Sequence, residues 1–270
     1  MTTERARGLW DCNVFVGRRA GRRYAPAYDV DAARLITEMD RLGVAGAMTY
    51  HVLAHELAPA LGNERLVVEV AGEPRLEPVW VVLPEHTGEL PPGDRLVEEM
   101  TRHGVRMARM FPSAELSGHR FSLADWCAGT LLGALAEQRI PLILDFTLFR
   151  RGEPPWETVW DVCRRHARLP VLLIGVQGRN NRTLYALLAE LPNLLIETSG
   201  LNVHRGIEDV CRRFGPQRLV FGSGYPVQSM GGAVFQLQRA ELDEDDRGLV
   251  ASGTLRRLLD PTGGGVLDAT

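Results

Sequence analysis

Along this chain, short apolar runs rich in β-branched residues alternate with longer stretches whose apolar side chains recur every three or four positions. Runs of the first kind begin at Trp10 (WDCNVFV), Ala45 (AGAMTYH), Glu77 (EPVWVVL), Val105 (VRMARMF), Pro141 (PLILDF), Val171 (VLLIG), Asn193 (NLLIET) and Arg218 (RLVFGSG). Continuous apolar runs of this length suit strands covered on both faces, as in a parallel sheet. Between them, Ala32, Leu35, Ile36, Met39 and Leu42 fall on one helical face, with Asp31 placed to cap the helix and Gly43 to stop it. Trp156, Val159, Trp160, Cys163 and Ala167 repeat the pattern behind a Pro-Pro pair, where proline suits a first turn. Leu184, Leu187, Leu188 and Leu191 form another such face, as do Ile207, Val210, Cys211 and Phe214 before Gly215.

Eight strands alternating with helices predict right-handed β-α-β crossovers and a parallel sheet. Closing that sheet gives an α/β (β/α)8 barrel, TIM-like and a single domain, over residues 9–260. Residues 1–8 and 261–270 read as loose tails. An open doubly wound sheet is the alternative, but VFVGRRAG is a poor match to the glycine fingerprint expected after its first strand.

At 270 residues the chain is long enough for one such barrel. A net charge of -3 gives no electrostatic case for nucleic acid or a membrane surface as the main partner. Cys12, Cys127, Cys163 and Cys211 are widely separated, which argues against a zinc ribbon or a disulfide framework and suits a reducing, cytoplasmic setting. Neither a signal peptide nor a run approaching the ~20 apolar residues of a membrane span is read. A homodimer is expected only because barrels often dimerise.

Barrel active sites form at the C-terminal strand ends. That rule selects Asp11, Asn13 and Phe15, alternating along the first strand, with His51, Arg109, Asp145, Glu197, Ser223 and Tyr225 on later ones. Asp145 ends an apolar strand and is expected to work as an acid or base, or to cap a helix or pair with Arg150. Glu197 lies within a strand, where a carboxylate needs a partner, and Arg109 is the best candidate. Arg109 itself sits on an apolar face, either paired or placed for a substrate carboxylate. His51 and His55 have i, i+4 spacing, but one ends a strand and the other begins a helix, so a shared metal is disfavoured. His86, His103, His119 and His166 read as loop or surface residues. GRRAGRRY overhangs the mouth and could steer an anion; GRNNR, with Asn180, offers either an anion site or ordinary helix capping.

From NNRTLYALLAELPNLLIETSGLNVHRG to FGSGYPVQSMGGA, with GVRMARMFP and the closing LRRLL, the chain resembles the amidohydrolase-related family of metal-dependent (β/α)8 hydrolases and decarboxylases. The resemblance implies a metal site built from D-x-H-x-H on strand 1, histidines after strands 5 and 6, and an aspartate on strand 8. Here strand 1 keeps Asp11 but has Asn13 and Phe15 in place of the histidines. Asp145 corresponds to the strand 5 histidine, LLIGVQG has none, and Gly224 replaces the aspartate. Such a set holds no zinc or manganese with ordinary affinity.

Three readings follow. The first is an enzyme without metal or other cofactor, in which Asp11, Asp145 and Glu197 act as acid and base. Asn13, Phe15, His51, Arg109, Asn180 and Tyr225 would then bind a small anionic or aromatic substrate. Hydrolysis, decarboxylation, cyclisation or isomerisation would all be open to it. The second is an inactive barrel that binds a small molecule or a partner subunit. The third is a metal enzyme with ligands rearranged among His51, Asp145, Glu197 and His204.

Overall fold

The strand runs become strands because each is buried on both faces, and they close on themselves. A computed structural model describes residues 8–19, 28–112, 118–146 and 152–260; the tails, Arg22, Arg23 and Arg150 lie outside them. In chain order the strands are β1 (Leu9–Arg18), β2 (Asp29–Val30), β3 (Val44–His51), β4 (Leu76–Pro78), β5 (Trp80–Val81), β6 (Ala108–Met110), β7 (Leu142–Leu144), β8 (Val171–Leu173), β9 (Leu194–Glu197) and β10 (Leu219–Val220). Two parallel arrays run β1-β3-β4 and β5 through β10, with β2 added antiparallel to the end of β1.

Two seams join the arrays into a barrel. At the first, β4 and β5 are one chain segment interrupted at Val79: β4 pairs with β3, and β5 with β6. Asn63 donates to the Val81 carbonyl and accepts from the Val81 N–H, both at 2.9 Å, so a side chain supplies the pairing that short β5 lacks. At the second seam Cys12 N–H donates to Phe221 at 2.9 Å, Gly224 N–H to Asn13 at 3.0 Å and Phe15 N–H to Tyr225 at 3.3 Å.

The outer layer comprises α1 (Ala32–Leu42), α2 (Val52–Glu56), α3 (Pro59–Glu69), α4 (Gly93–Arg102), α5 (Asp125–Glu137), α6 (Trp156–Arg165), α7 (Asn181–Glu190), α8 (Gly206–Phe214), α9 (Met230–Arg239), α10 (Glu244–Gly248) and α11 (Thr254–Leu259). Asp31 caps α1 by accepting from Arg34 N–H, and Gly43 ends it in the left-handed region at φ 68°. Leu35, Met39, Val97, Val159 and Leu184 pack with the outward strand residues, while Met48, Met107, Ile143, Leu172 and Leu195 fill the barrel interior. No helix among the described residues is long and apolar enough to cross a membrane.

One irregularity matters for the site. Between Asp11 and Val14 the register of β1 against β3 slips, with Asp11 opposite Ala47 and Val14 opposite Thr49. Three steps along β1 match two along β3, the signature of a β-bulge. The simple alternation of Asp11, Asn13 and Phe15 is therefore broken: Cys12 and Phe15 both join the interior cluster, while Val14 and Val16 pack outward.

Candidate functional site

Inward-facing β6 carries Arg109 into the barrel, where it is 3% exposed. Its Nη2 donates to Asp145 Oδ2 at 2.6 Å and to Asn13 Oδ1 at 3.0 Å. One guanidinium nitrogen thus bridges the end of β7 to the bulge of β1. The guanidinium carbon lies 4.3 Å from the Tyr50 ring centre and 5.1 Å from that of Phe111. Burial opposes its charge, but Asp145 more than restores it, and the Arg109 pKa lies above its ordinary value. Nε of Arg109 is buried and has no acceptor among the described residues.

Aromatic rings surround this cation. Phe15 meets Tyr50 at 5.7 Å between centroids, and Tyr50 meets Phe111 at 5.5 Å. His55, reaching in from α2, stacks on Phe111 at 3.9 Å with an interplanar angle of 18°. Burial lowers its pKa to about 4. His119 sets its edge against Phe111 at 86°, and its Nε2 lies 3.2 Å from the His55 carbonyl. At the rim, Arg19 lies over Phe15 and pairs with Glu56 at 2.8 Å.

A second polar cluster forms where β9 and β10 meet β1. Asp11 is fully buried, and its Oδ1 accepts from the N–H groups of Asn13 at 2.9 Å and Ser223 at 3.0 Å. Burial raises its pKa against those donors. Glu197, equally buried, accepts from Ser199 N–H at 2.6 Å and Ser199 Oγ at 2.8 Å. Burial pushes its pKa up to about 7, with Asp11 adding to the rise. Gly222 makes room for this carboxylate, since a Cβ there would lie 2.5 Å from Glu197 Cγ. Gln228 Nε2 reaches Ser199 Oγ at 3.4 Å, so a hydrogen-bonded chain leads outward from Glu197. Cys12 lies close enough to feel both carboxylates, and burial first, then their charge, drives its pKa well up.

The structure therefore brings Asn13, Phe15, Arg109 and Asp145 together and sets Asp11 and Glu197 beside them. Several expectations need correction. Arg109 pairs with Asp145, not with Glu197, because β7 is its immediate neighbour and Ser199 already satisfies Glu197. His51 does not enter the chamber: Met48 and Tyr50 take the inward face of β3, so His51 points away, caps α2 through Leu53 N–H and lies against Gly17. The Tyr225 side chain packs on the outer cluster beside α1, within electrostatic reach of Glu38 and Arg34, although its carbonyl accepts from Phe15 N–H. Asn180 Oδ1 accepts from Gln177 N–H at 3.0 Å in a reciprocal cap, the ordinary capping alternative for GRNNR. His119 is half-buried, whereas His86, His103 and His204 are exposed. His204 lines a peripheral groove with Tyr185 and Asp209.

Sequence reasoning assigned no site role to Tyr50 or Phe111, disfavoured His55 as a metal ligand and read His119 as a loop or surface residue. The parity of β3 could have found Tyr50, since Met48 and Tyr50 share a face. Nothing local marks His55 or His119, which depend on how α2 and the segment after β6 fold back. Among the described residues no three His, Cys, Asp or Glu side chains converge as a metal site would require.

The amidohydrolase family model matches residues 14–260 of this chain. No curated protein matches its sequence. Among solved structures, 5-carboxyvanillate decarboxylase from Sphingomonas paucimobilis aligns with a TM-score of 0.69 at 15% identity, over 94% of this chain and 99% of its own. The corresponding decarboxylase of Novosphingobium aromaticivorans, with bound manganese and a nitrobenzoic acid, aligns with a TM-score of 0.75 at 13% identity, over 95% and 98%. The 2,6-dihydroxybenzoate decarboxylase from Rhizobium gives 0.68 at 15% identity, over 94% and 98%. At such identities these likenesses establish the fold.

Proposed function

The chain belongs to the amidohydrolase family, and from that premise we propose that it is a member working without the family's metal, on a small planar anion. One observation carries this reading: Nη2 of Arg109 bridges Asn13 and Asp145. Both are positions where the family resemblance implies metal-ligating histidines. A fixed guanidinium occupies the space between them, and a divalent cation there would meet a like charge with one amide and one already-paired carboxylate as donors. Phe15 has no donor atom, and Gly224, at φ 70°, offers no carboxylate. The residues present do not fit the metal.

The proposed chemistry follows from what is left unpaired. Arg109 Nε, buried without an acceptor, meets an oxygen of the bound anion, and the rings of Phe15, Tyr50 and Phe111 cover its plane. Asp145 serves as the base beside that oxygen. Glu197, its pKa pushed up to about 7, is about half protonated at neutral pH and serves as the acid, donating its proton by way of Ser199 and taking another from solvent. Asp11, its Oδ1 taken by two backbone donors, positions β1 against β10. The solved neighbours' hydroxylated benzoates supply the first substrates to try, by decarboxylation, in which CO₂ leaves and the ring carbon takes up a proton.

The test is a screen of hydroxybenzoates, including 2,6-dihydroxybenzoate and 5-carboxyvanillate, in buffer containing chelator. Turnover should survive chelation and fall by roughly 10²–10⁴-fold in Asp145→Asn. Activity that appears only on adding a metal would contradict the proposal. A second reading, a barrel that binds without reacting, is favoured by the full burial of Asp11 and Glu197 against their own backbone. Under it Asp145→Asn alters affinity and no substrate turns over.

A further inference from the structure

Most large buried polar side chains of this barrel find their partners within the fold. Asn193 donates to three carbonyls, Arg218 to the carbonyls of Leu188, Leu191 and Leu194, and Asn63 forms its paired bonds with Val81. His55 is an exception. It is 3% exposed, and among the described residues neither Nδ1 nor Nε2 has a hydrogen-bond partner. Its placement is nevertheless tightly determined. The ring stacks on Phe111, its own carbonyl is met by His119, and α2 is pinned at one end by the His51 cap and at the other by the Arg19–Glu56 pair. Phe111 in turn lies under the Arg109 guanidinium, so the imidazole and the unpaired Arg109 Nε border one aromatic cluster.

Resting on the reading of that cluster as a planar-anion site, we propose that His55 is a specificity-determining residue. It reads a second polar group on the ligand whose acid group Arg109 holds. A neutral imidazole presents one N–H donor and one acceptor nitrogen. The ligand that satisfies it is a planar acid bearing a group able both to donate and to accept, such as a ring hydroxyl. A site built to hydrogen-bond a hydroxyl rejects the analogue lacking it, because its buried polar atoms are then left unpaired. The orphaned ring also carries a cost in the free protein, the usual mark of a group retained for binding and not for folding.

The experiment titrates benzoate and 2,6-dihydroxybenzoate calorimetrically into wild type, His55→Phe and His55→Leu in chelator buffer, with thermal unfolding of the same samples. Wild type should favour the hydroxylated acid by at least about tenfold, and both substitutions should bring the ratio of affinities toward one. Removing an unsatisfied buried polar group should also leave Tm unchanged or raise it, by about 2 °C for a chain of this size, in whichever variant fits the space. Equal binding of the two acids by wild type, or a preference that survives both substitutions, overturns the role of His55 alone. A fall in Tm in both variants makes His55 a packing residue and also overturns it. Binding of neither acid by wild type overturns the planar-anion reading, and this inference with it.

Discussion

The two sides of the barrel mouth keep buried carboxylates by different means. Between β6 and β7, Asp145 faces a guanidinium at 2.6 Å. Where β9 and β10 meet β1, Asp11 and Glu197 face backbone N–H groups and a serine hydroxyl, with no cation bonded to either among the described residues. A paired charge of the first kind resists loss of its partner, because the survivor would be stranded in a low dielectric. A carboxylate of the second kind can take up a proton instead, and the raised pKa of both Asp11 and Glu197 reflects that. One side holds a fixed charge pair, and the other holds carboxylates that take up a proton more readily.

Breaking the pair should have the largest effect. Arg109→Leu takes from buried Asp145 its guanidinium partner at 2.6 Å and should cost about 3–5 kcal/mol, read from urea unfolding. The double variant Arg109→Leu/Asp145→Leu should recover much of that loss, whereas independent contributions would simply add.

The second cluster should reveal itself through pH. Glu197 has a folded pKa of about 7 against an ordinary 4.5, so the folded chain binds a proton that the unfolded chain has released between those values. Stability from this group is therefore fully present below about pH 4.5 and lost as pH rises through 7, on the order of 3 kcal/mol across the window. Glu197→Gln should remove that slope and be the more stable protein at pH 8, as unfolding midpoints at pH 5 and pH 8 would record. A variant that falls as steeply as wild type would place the proton elsewhere.

Smaller effects sharpen the boundary of the chamber. Phe15→Leu removes the ring that meets Tyr50 and lies under Arg19, and should weaken benzoate binding several-fold while costing about 1 kcal/mol of stability. Tyr225→Phe, on the far side of β1, should leave ligand affinity unchanged and stability within about 0.5 kcal/mol. A loss of binding there would put Tyr225 back at the mouth.

The strands and helices were legible because their apolar periods are local and strong, from the Asp31 cap to the Gly43 stop. The candidate residues could be listed as strand-end positions, but their pairings could not. Arg109 could have reached either carboxylate on strand parity, and strand adjacency within the closed barrel selects Asp145. The bulge between Asp11 and Val14, which admits Cys12 to the interior, leaves no mark in WDCNVFV because it depends on the neighbouring strand. His51 was chosen over Tyr50 by chemistry when the parity of β3 favours the tyrosine. His55 and His119 meet only through long-range folding, across 64 residues of chain.

On the proposed reading, the Arg109 guanidinium stands where this family resemblance implies a metal ion. Elemental analysis of protein purified without chelator, repeated after incubation with Zn²⁺, Mn²⁺ and Mg²⁺ and removal of free ion, tests it most directly. The account predicts less than about a tenth of an equivalent of any of these metals per chain throughout. One equivalent retained, and lost on Asp145→Asn, would contradict it.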